Sequence, residues 1–426
     1  MATMDTAELD HHAELDARLV AAVRPIRLLT AASWSSAVQA RFLERWRQGR
    51  RTLPTVHYPP CDMDATRQEL DAIAAAADPD HPLGDYLRRS AGAWHIAAQI
   101  MAALGSDHAG QLSARLYGTP GRPLPGSDWT SVDAAGHFVV LADELDGGVA
   151  GNFTDPDAVA SLTPEQVRGQ MQADIDAVFV EHPVSVQVDP DLVAKAAAGA
   201  SRVRLRANTL FSPADVRQLL EHEVMVHTLT AINGRAQPNL RSLALSSPRV
   251  TSTQEGLATF AEQITGNIDI RRMKRLSLRI LAIERARNGA DFIEVFEFFL
   301  ASGQDPDESF ASAMRVFRGV PVTGGSAFCK DAVYLHGLLS THTCFRWALK
   351  HRRMDLLHWL FAGKLTLHDV ISLQPLFESG WLAPPRYLPS WLERTGNLAG
   401  LLAFSLFANR IRLDTLQMDD VALGIA

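Results

Sequence analysis

The residues best suited to chemistry in this 426-residue chain lie in Glu221-His222-Glu223-Val224-Met225-Val226-His227 and in Thr253-Gln254-Glu255-Gly256-Leu257-Ala258. Two imidazoles and a later carboxylate form a mixed nitrogen and oxygen donor set that suits a zinc ion. Three protein ligands with one open position is the pattern of a catalytic zinc, whereas a structural zinc is closed by four. On this reading His222, His227 and Glu255 hold one Zn2+ per chain. Glu223, next to the first histidine, is then placed as general base toward a water activated by the metal.

The spacing sets a condition on the backbone. The familiar H-E-x-x-H string puts its histidines one helical turn apart, on one face. Here five residues separate the pair, and on a regular helix of 3.6 residues per turn that rotates them about 140° apart. The spacing therefore predicts a distorted helix, with a π-type widening between the histidines. Glu255 follows His227 by 28 residues (255 − 227 = 28), room for a turn, a loop and a second helix. The competing reading is a pair of ordinary histidines on an amphipathic helix.

With both stretches in view, the chain resembles the bacterial flavohaemoglobin expression-modulating QEGLA-motif proteins, here through Gln254-Glu255-Gly256-Leu257-Ala258. The same domain occurs in the eukaryotic microtubule-associated tyrosine carboxypeptidases, zinc enzymes that trim the C-terminal tyrosine of α-tubulin. Leu116-Tyr117-Gly118-Thr119-Pro120, Asn233-Gly234-Arg235-Ala236-Gln237-Pro238 and Lys330-Asp331-Ala332-Val333-Tyr334-Leu335 carry it further, so that it runs from about Leu112 to Pro389. It implies zinc ligands at His222, His227 and Glu255, a catalytic role for Glu223, and carboxypeptidase activity. The first hundred residues depart from the pattern, and the long basic extension of a microtubule binder is missing.

Hydrolysis at such a site needs donors for the oxyanion and a cation for any substrate carboxylate. Tyr334 and His336 are the donors expected; a tyrosine hydrogen-bonded in the core is the alternative. Arg235, Arg315, Arg318 and Lys330 are the expected carboxylate partners, arginine through its planar fork. An ordinary surface charge, or an ion pair with Asp331, is the alternative for each. Glu262, seven residues past Glu255 and on the same helical face, is placed to orient a ligating histidine.

The elements that must position these groups read as follows. Ser212-Pro213-Ala214-Asp215 is a strong helix start, with serine at the N-cap, proline at N1 and an acid at N3. That helix runs through the histidines to a stop near Asn233-Gly234. Val184 to Val188 and Arg202 to Ala207 alternate with period two and predict strands, joined by a short Ala-rich helix over Asp191 to Ala198. Arg202, Arg204 and Arg206 share one face of the second strand. This is either an edge protected by charge or a strand that pairs with an extended acidic peptide. The stretch from Asp133 to Thr154, with Gly147, Gly148 and Gly151, reads as irregular. Upstream, helices are expected from Glu8 to Gly49, with His11 and His12 solvated, and again over Asp64 to Ala77, Leu83 to Leu104 and Thr163 to Val180.

An apolar fraction of 47 % and a charged fraction of 21 % are those of a globular protein. A net charge of −7 argues against a nucleic-acid or anionic-membrane footprint. Three cysteines, Cys61, Cys329 and Cys344, are too few for a disulfide framework and fit a reducing compartment. The N-terminus lacks a signal-peptide pattern, so the cytoplasm is the expected location. The expected fold is α+β and mainly helical, a zinc-peptidase core with a small sheet beside the metal-binding helix. It divides into a helical N-terminal part (1–175) and the catalytic core (176–426), or forms one continuous domain. The expected function is a zinc metallopeptidase, a carboxypeptidase acting on the C-terminus of a peptide or protein, acidic sequences being favoured by the arginine face. A regulatory protein with a residual or structural zinc, and a zinc amidase on a non-peptide substrate, are the other readings.

Overall fold

A computed structural model describes residues 6–147, 157, 159–192 and 194–410. It is mainly helical with one small mixed sheet, an α+β architecture. Among the described residues no helix is long and apolar enough to cross a membrane.

The sheet has the order β1-β3-β2, with β1 at Ser185–Asp189, β2 at Ala196–Ala198 and β3 at Arg202–Arg206. β1 runs parallel to β3 and β2 antiparallel to it, in the register Ala196↔Leu205, Ala197↔Arg204, Ala198↔Val203. Two expectations are corrected here. Ala196 to Ala198 form a strand, not part of a helix. Asp189 accepts from the Asp191 N–H at 2.9 Å, and this local turn sends the alanines back along β3, where pairing overrides their helix propensity. β3 is therefore central, neither an edge nor free to take a peptide; β1 and β2 are the edges. The arginine face is partly engaged, with Arg204 on Asp189 at 3.0 Å and Arg206 donating to Thr209 at 3.2 Å, while Arg202 is exposed.

The expected helix start is formed in full. Ser212 Oγ accepts from the Asp215 N–H at 3.0 Å, and Asp215 Oδ2 in turn accepts from the Ser212 N–H at 2.8 Å. Pro213 occupies the first turn. Asp215 also receives Lys195 Nζ at 2.6 Å, which ties the helix start to the sheet. The helix continues as Pro213–Leu219, Leu220–Thr228 and Leu229–Arg235. Asn233 and Gly234 lie inside its last turn and do not stop it. Asn233 donates to the carbonyls of Phe361 and Tyr387, and a Cβ at Gly234 would stand 2.3 Å from the Leu243 carbonyl oxygen. Both residues serve packing.

Ser131–Gly147 is a helix where an irregular segment was expected; Thr130 and Asp133 cap its start. Gly148 and Gly151 lie outside the described residues. His12 is buried, where a solvated side chain was expected. Its ring stacks on His81 at 4.6 Å and its Nδ1 lies 2.7 Å from the Glu8 carbonyl oxygen. Neighbouring histidines on a helix point to different sides, and the inner side of Thr6–Ala22 includes His12.

Buried contacts cross the division expected at 175/176. The Ser242 N–H donates to Asp16, the hydroxyls of Tyr86 and Ser242 meet at 2.8 Å, and Ser113 Oγ accepts from the Cys329 N–H. Trp34 and Phe42 pack against Phe292 and Phe310.

Candidate metal centre

Leu220–Thr228 is a π-helix, the departure from regular geometry that the five-residue spacing requires. Its wider turn brings the two imidazoles together, with ring centroids 4.9 Å apart and planes at 83°. Val224 and Val226, both fully buried, pin the segment into the core while Glu223 and His227 are half-buried on its other side. Glu255 comes from the Thr251–Ile264 helix. Its Oε2 lies 3.5 Å from His222 Nε2 and 3.7 Å from His227 Nε2.

These residues fit a zinc ion. One donor atom of each lies within 4.8 Å of the others. Two ligands about 2.1 Å from a tetrahedral zinc stand about 3.4 Å apart, close to the observed nitrogen-to-oxygen separations. Both histidines are also oriented from behind. His222 Nδ1 is 2.6 Å from Glu262 Oε1, and His227 Nδ1 is 3.4 Å from Gln254 Oε1. Each Nδ1 thus faces an acceptor, an arrangement that favours the tautomer with Nε2 free and turned toward Glu255.

The carboxylates are held charged. Burial pushes Glu255 up, but Lys330, whose Nζ is 3.1 Å away, and the two histidines bring it well below the usual carboxylate range. Burial likewise opposes the charge on Glu262, yet Arg272 and His222 hold it down at about 2. Gln218 donates to the same Glu262 oxygen at 2.7 Å. Behind Lys330, buried Asp331 receives Arg315 through two bonds of 2.5 and 2.8 Å.

Gly256 and Gly337 explain how Glu255 reaches this position. A Cβ on Gly256 would lie 2.3 Å from the Gly337 main chain, and one on Gly337 would lie 2.2 Å from the Ser252 carbonyl oxygen. The helices Thr251–Ile264 and Val333–Lys350 therefore touch backbone to backbone. Lys330, in the 3-10 turn Cys329–Ala332 just before the second, is carried up to Glu255, with Tyr334 at that helix's start beside it.

The other expected site residues are distributed unevenly. Tyr334 is half-buried, with Lys330 Nζ 5.3 Å from its ring. His336 is half-buried with Arg122 as its charged neighbour, and no hydrogen bond joins it to His222, His227 or Glu255 among the described residues. Arg315 is spent on Asp331 and Lys330 on Glu255. Arg318 is buried 3.8 Å from Asp331. Arg235 is exposed at the end of its helix.

Three residues near the site escaped the sequence reading. Arg272 backs Glu262. Arg279, from the Ile270–Arg287 helix, faces Tyr334 at 5.7 Å. Lys364 is buried, donates to Ser246 Oγ at 2.7 Å, and is pushed down to about 8 by burial, which the charges of Glu255 and Glu223 only partly oppose. No motif marks it; its place comes from Gly363 packing on Leu243, where a Cβ would meet the Leu243 side chain at 2.8 Å.

In this mainly helical protein, two histidines on a π-turn and a glutamate one helix away, backed by a second layer of orienting groups, form a candidate metal site. The profile of the microtubule-associated tyrosine carboxypeptidase family matches residues 40–410, and the chain belongs to that family. The match begins well before Leu112 and takes in most of the N-terminal helices, beyond the span of the resemblance. A search of curated proteins found no match. The family is one of carboxypeptidases, which makes a protease of the carboxypeptidase type the coarse function of the chain.

Proposed function

We propose that the protein is a zinc-dependent metallopeptidase that removes a C-terminal residue from a peptide or protein. The observation that carries this reading is the convergence of His222 Nε2, His227 Nε2 and Glu255 Oε2, with both Nδ1 atoms already committed to Gln254 and Glu262. When bound there, zinc supplies Lewis-acid polarisation of a water and of the scissile carbonyl.

The chain's own residues do the rest. Glu223 stands beside His222 on the π-turn, half-buried, and its charge is felt by both His222 and Lys364. It takes a proton from the attacking water and returns it to the leaving amine. Tyr334, beside Lys330, donates its hydroxyl to the developing oxyanion; His336, turned toward Arg122, is the less favoured donor. Lys330 keeps Glu255 ionised and so keeps the donor set intact. Of the cations expected to hold the substrate carboxylate, Arg318 is the buried one whose nearest carboxylate, Asp331 at 3.8 Å, is already bonded through both oxygens to Arg315. Among the arginines that suggest an acidic preference, Arg202 alone is exposed. The three cysteines are free, which fits work in the cytoplasm.

The experiment is a peptide-library digest read by mass, with zinc-loaded wild type, with a chelator, and with Glu223→Gln. Chelation should abolish cleavage. Glu223→Gln should keep its zinc and lose at least ~10² in rate, the low end for general acid–base catalysis. Near-wild-type turnover by metal-loaded Glu223→Gln would remove Glu223 from the role, and metal-independent turnover would remove zinc.

A further inference from the structure

The connection that leads from the histidines to Glu255 carries an exposed serine, Ser246, whose Oγ is 2.7 Å from Lys364 Nζ. Lys364 itself is only 7 % exposed. Among the described residues its Nζ has no second hydrogen-bond partner and no carboxylate at ion-pair distance. A buried ammonium so poorly matched is costly. Anchoring the connection does not call for one. Ser242 is already held by Asp16 and Tyr86, and the Leu243 carbonyl accepts from the Lys364 main-chain N–H at 2.7 Å. A neutral side chain at position 364 would leave those contacts in place.

A serine hydroxyl within hydrogen-bond reach of a base marks an activated nucleophile, and lysine fills the base role in serine–lysine enzymes. This lysine is suited to it. Burial brings it down to about 8, against the partial opposition of Glu255 and Glu223. At pH 7 about a tenth of the amine is then uncharged, against fewer than about one in a thousand for an ordinary lysine. In the uncharged form the contact reverses, and the hydroxyl donates to the Nζ lone pair. A donor for the oxyanion is also at hand, since the Ser246 main-chain N–H bonds to no described residue. The nucleophile's own N–H serves in that way in serine proteases.

We propose that Ser246 and Lys364 form a nucleophile–base pair that transfers acyl groups from carboxylic esters to water, a reaction separate from that of the metal centre. Lys364 Nζ takes the Ser246 hydroxyl proton while Oγ bonds to the ester carbonyl carbon. The carbonyl π electrons move onto its oxygen, where the Ser246 N–H stabilises them. Collapse breaks the bond to the alcohol oxygen, which leaves with the proton from Nζ. A water then gives a proton to Nζ and attacks the acyl-serine. The acid departs, and Ser246 Oγ recovers its proton from Nζ. Esters are the class that fits, because an alcohol oxygen leaves more readily than an amide nitrogen and the pair offers one main-chain donor to the oxyanion.

The test treats zinc-loaded wild type with a fluorophosphonate, which phosphonylates an activated serine with loss of fluoride, and maps the adduct by mass. The adduct should sit on Ser246, be absent from Ser246→Ala, and persist in Ser247→Ala, whose hydroxyl is buried one residue on. Its rate should rise with pH and level off above about 8, as the amine loses its proton. In Lys364→Met the rate should fall at least ~10², the low end for a general base, and lose that pH dependence. Zinc content and circular dichroism identify a variant that fails to fold. Lys364→Arg then takes its place, keeping the cation and donor but never yielding its proton, with the same loss expected. Hydrolysis of p-nitrophenyl acetate by zinc-loaded Glu223→Gln separates the pair from the metal reaction, and an initial burst that vanishes when Ser246→Ala is added supports the proposal. A wild type without an adduct on Ser246, folded Lys364 variants labelled as fast as wild type, or a burst that survives Ser246→Ala would each overturn it.

Discussion

Glu255 serves two neighbours, the histidine pair on one side and Lys330 on the other, and Lys364 watches the same space without a carboxylate of its own. Lys364 makes the clearest prediction at the scale of single residues. Its folded pKa, about 8, lies below the unfolded value of about 10.4. Between those values the unfolded chain binds more protons than the native one, so stability rises with pH through that window. Below about pH 8 the native state carries the full penalty of a buried ammonium. Denaturant unfolding at pH 8 and pH 10 should show wild type gaining stability relative to Lys364→Met, and equal pH dependence would mean that Lys364 is not desolvated as described. The donor residues themselves were legible in the sequence because their types and spacing carry chemistry. Lys364 and Arg279 were not, since one is placed by Gly363 against Leu243 and the other by which face of a basic helix turns inward.

The element that decides the site is the contact between Thr251–Ile264 and Val333–Lys350. An alanine at Gly256 would place a methyl 2.3 Å from the Gly337 main chain, where no side chain can rotate away. Gly256→Ala should cost about 1–3 kcal/mol or more, as overpacking does, and lower zinc content by shifting Glu255. Gly169, inside Pro164–Val178 with nothing within 4 Å of its Cβ, is the control; Gly169→Ala should be neutral or stabilising. Gly256→Ala with wild-type stability and zinc would mean that the crossing is looser than drawn. Local signals were readable at this scale where caps and periods are strong, as at Ser212 to Asp215 and along β1 and β3. The five-residue histidine spacing announced the π-turn. Ala196 to Ala198 misled because alanine is a good helix former, and only β3, several residues further on, makes them a strand. The glycine contact was invisible for the same reason: its partner lies more than seventy residues away (337 − 256 = 81).

At the scale of the molecule, helices before residue 175 hold loops that belong to the site. Asp16 and Tyr86 fix Ser242, in the connection that leads from the histidines to Glu255. Ser113 holds Cys329, next to Lys330. Arg249, in the same connection as Ser242, pairs with Asp369 through bonds of 2.5 and 2.9 Å. Residues 176–426 expressed alone should therefore fail to unfold cooperatively and should not retain zinc through gel filtration. A fragment that does both would make the first 175 residues a separate unit.

The glycine crossing has one more implication. Wherever two helices meet through side chains, rotamers give the joint some play, and temperature or a substitution can reset the gap. Here the gap is set by main chain on both sides, so the joint has no intermediate positions. The backbones that carry Glu255 and Tyr334 are therefore clamped together, like the jaws of a caliper screwed tight.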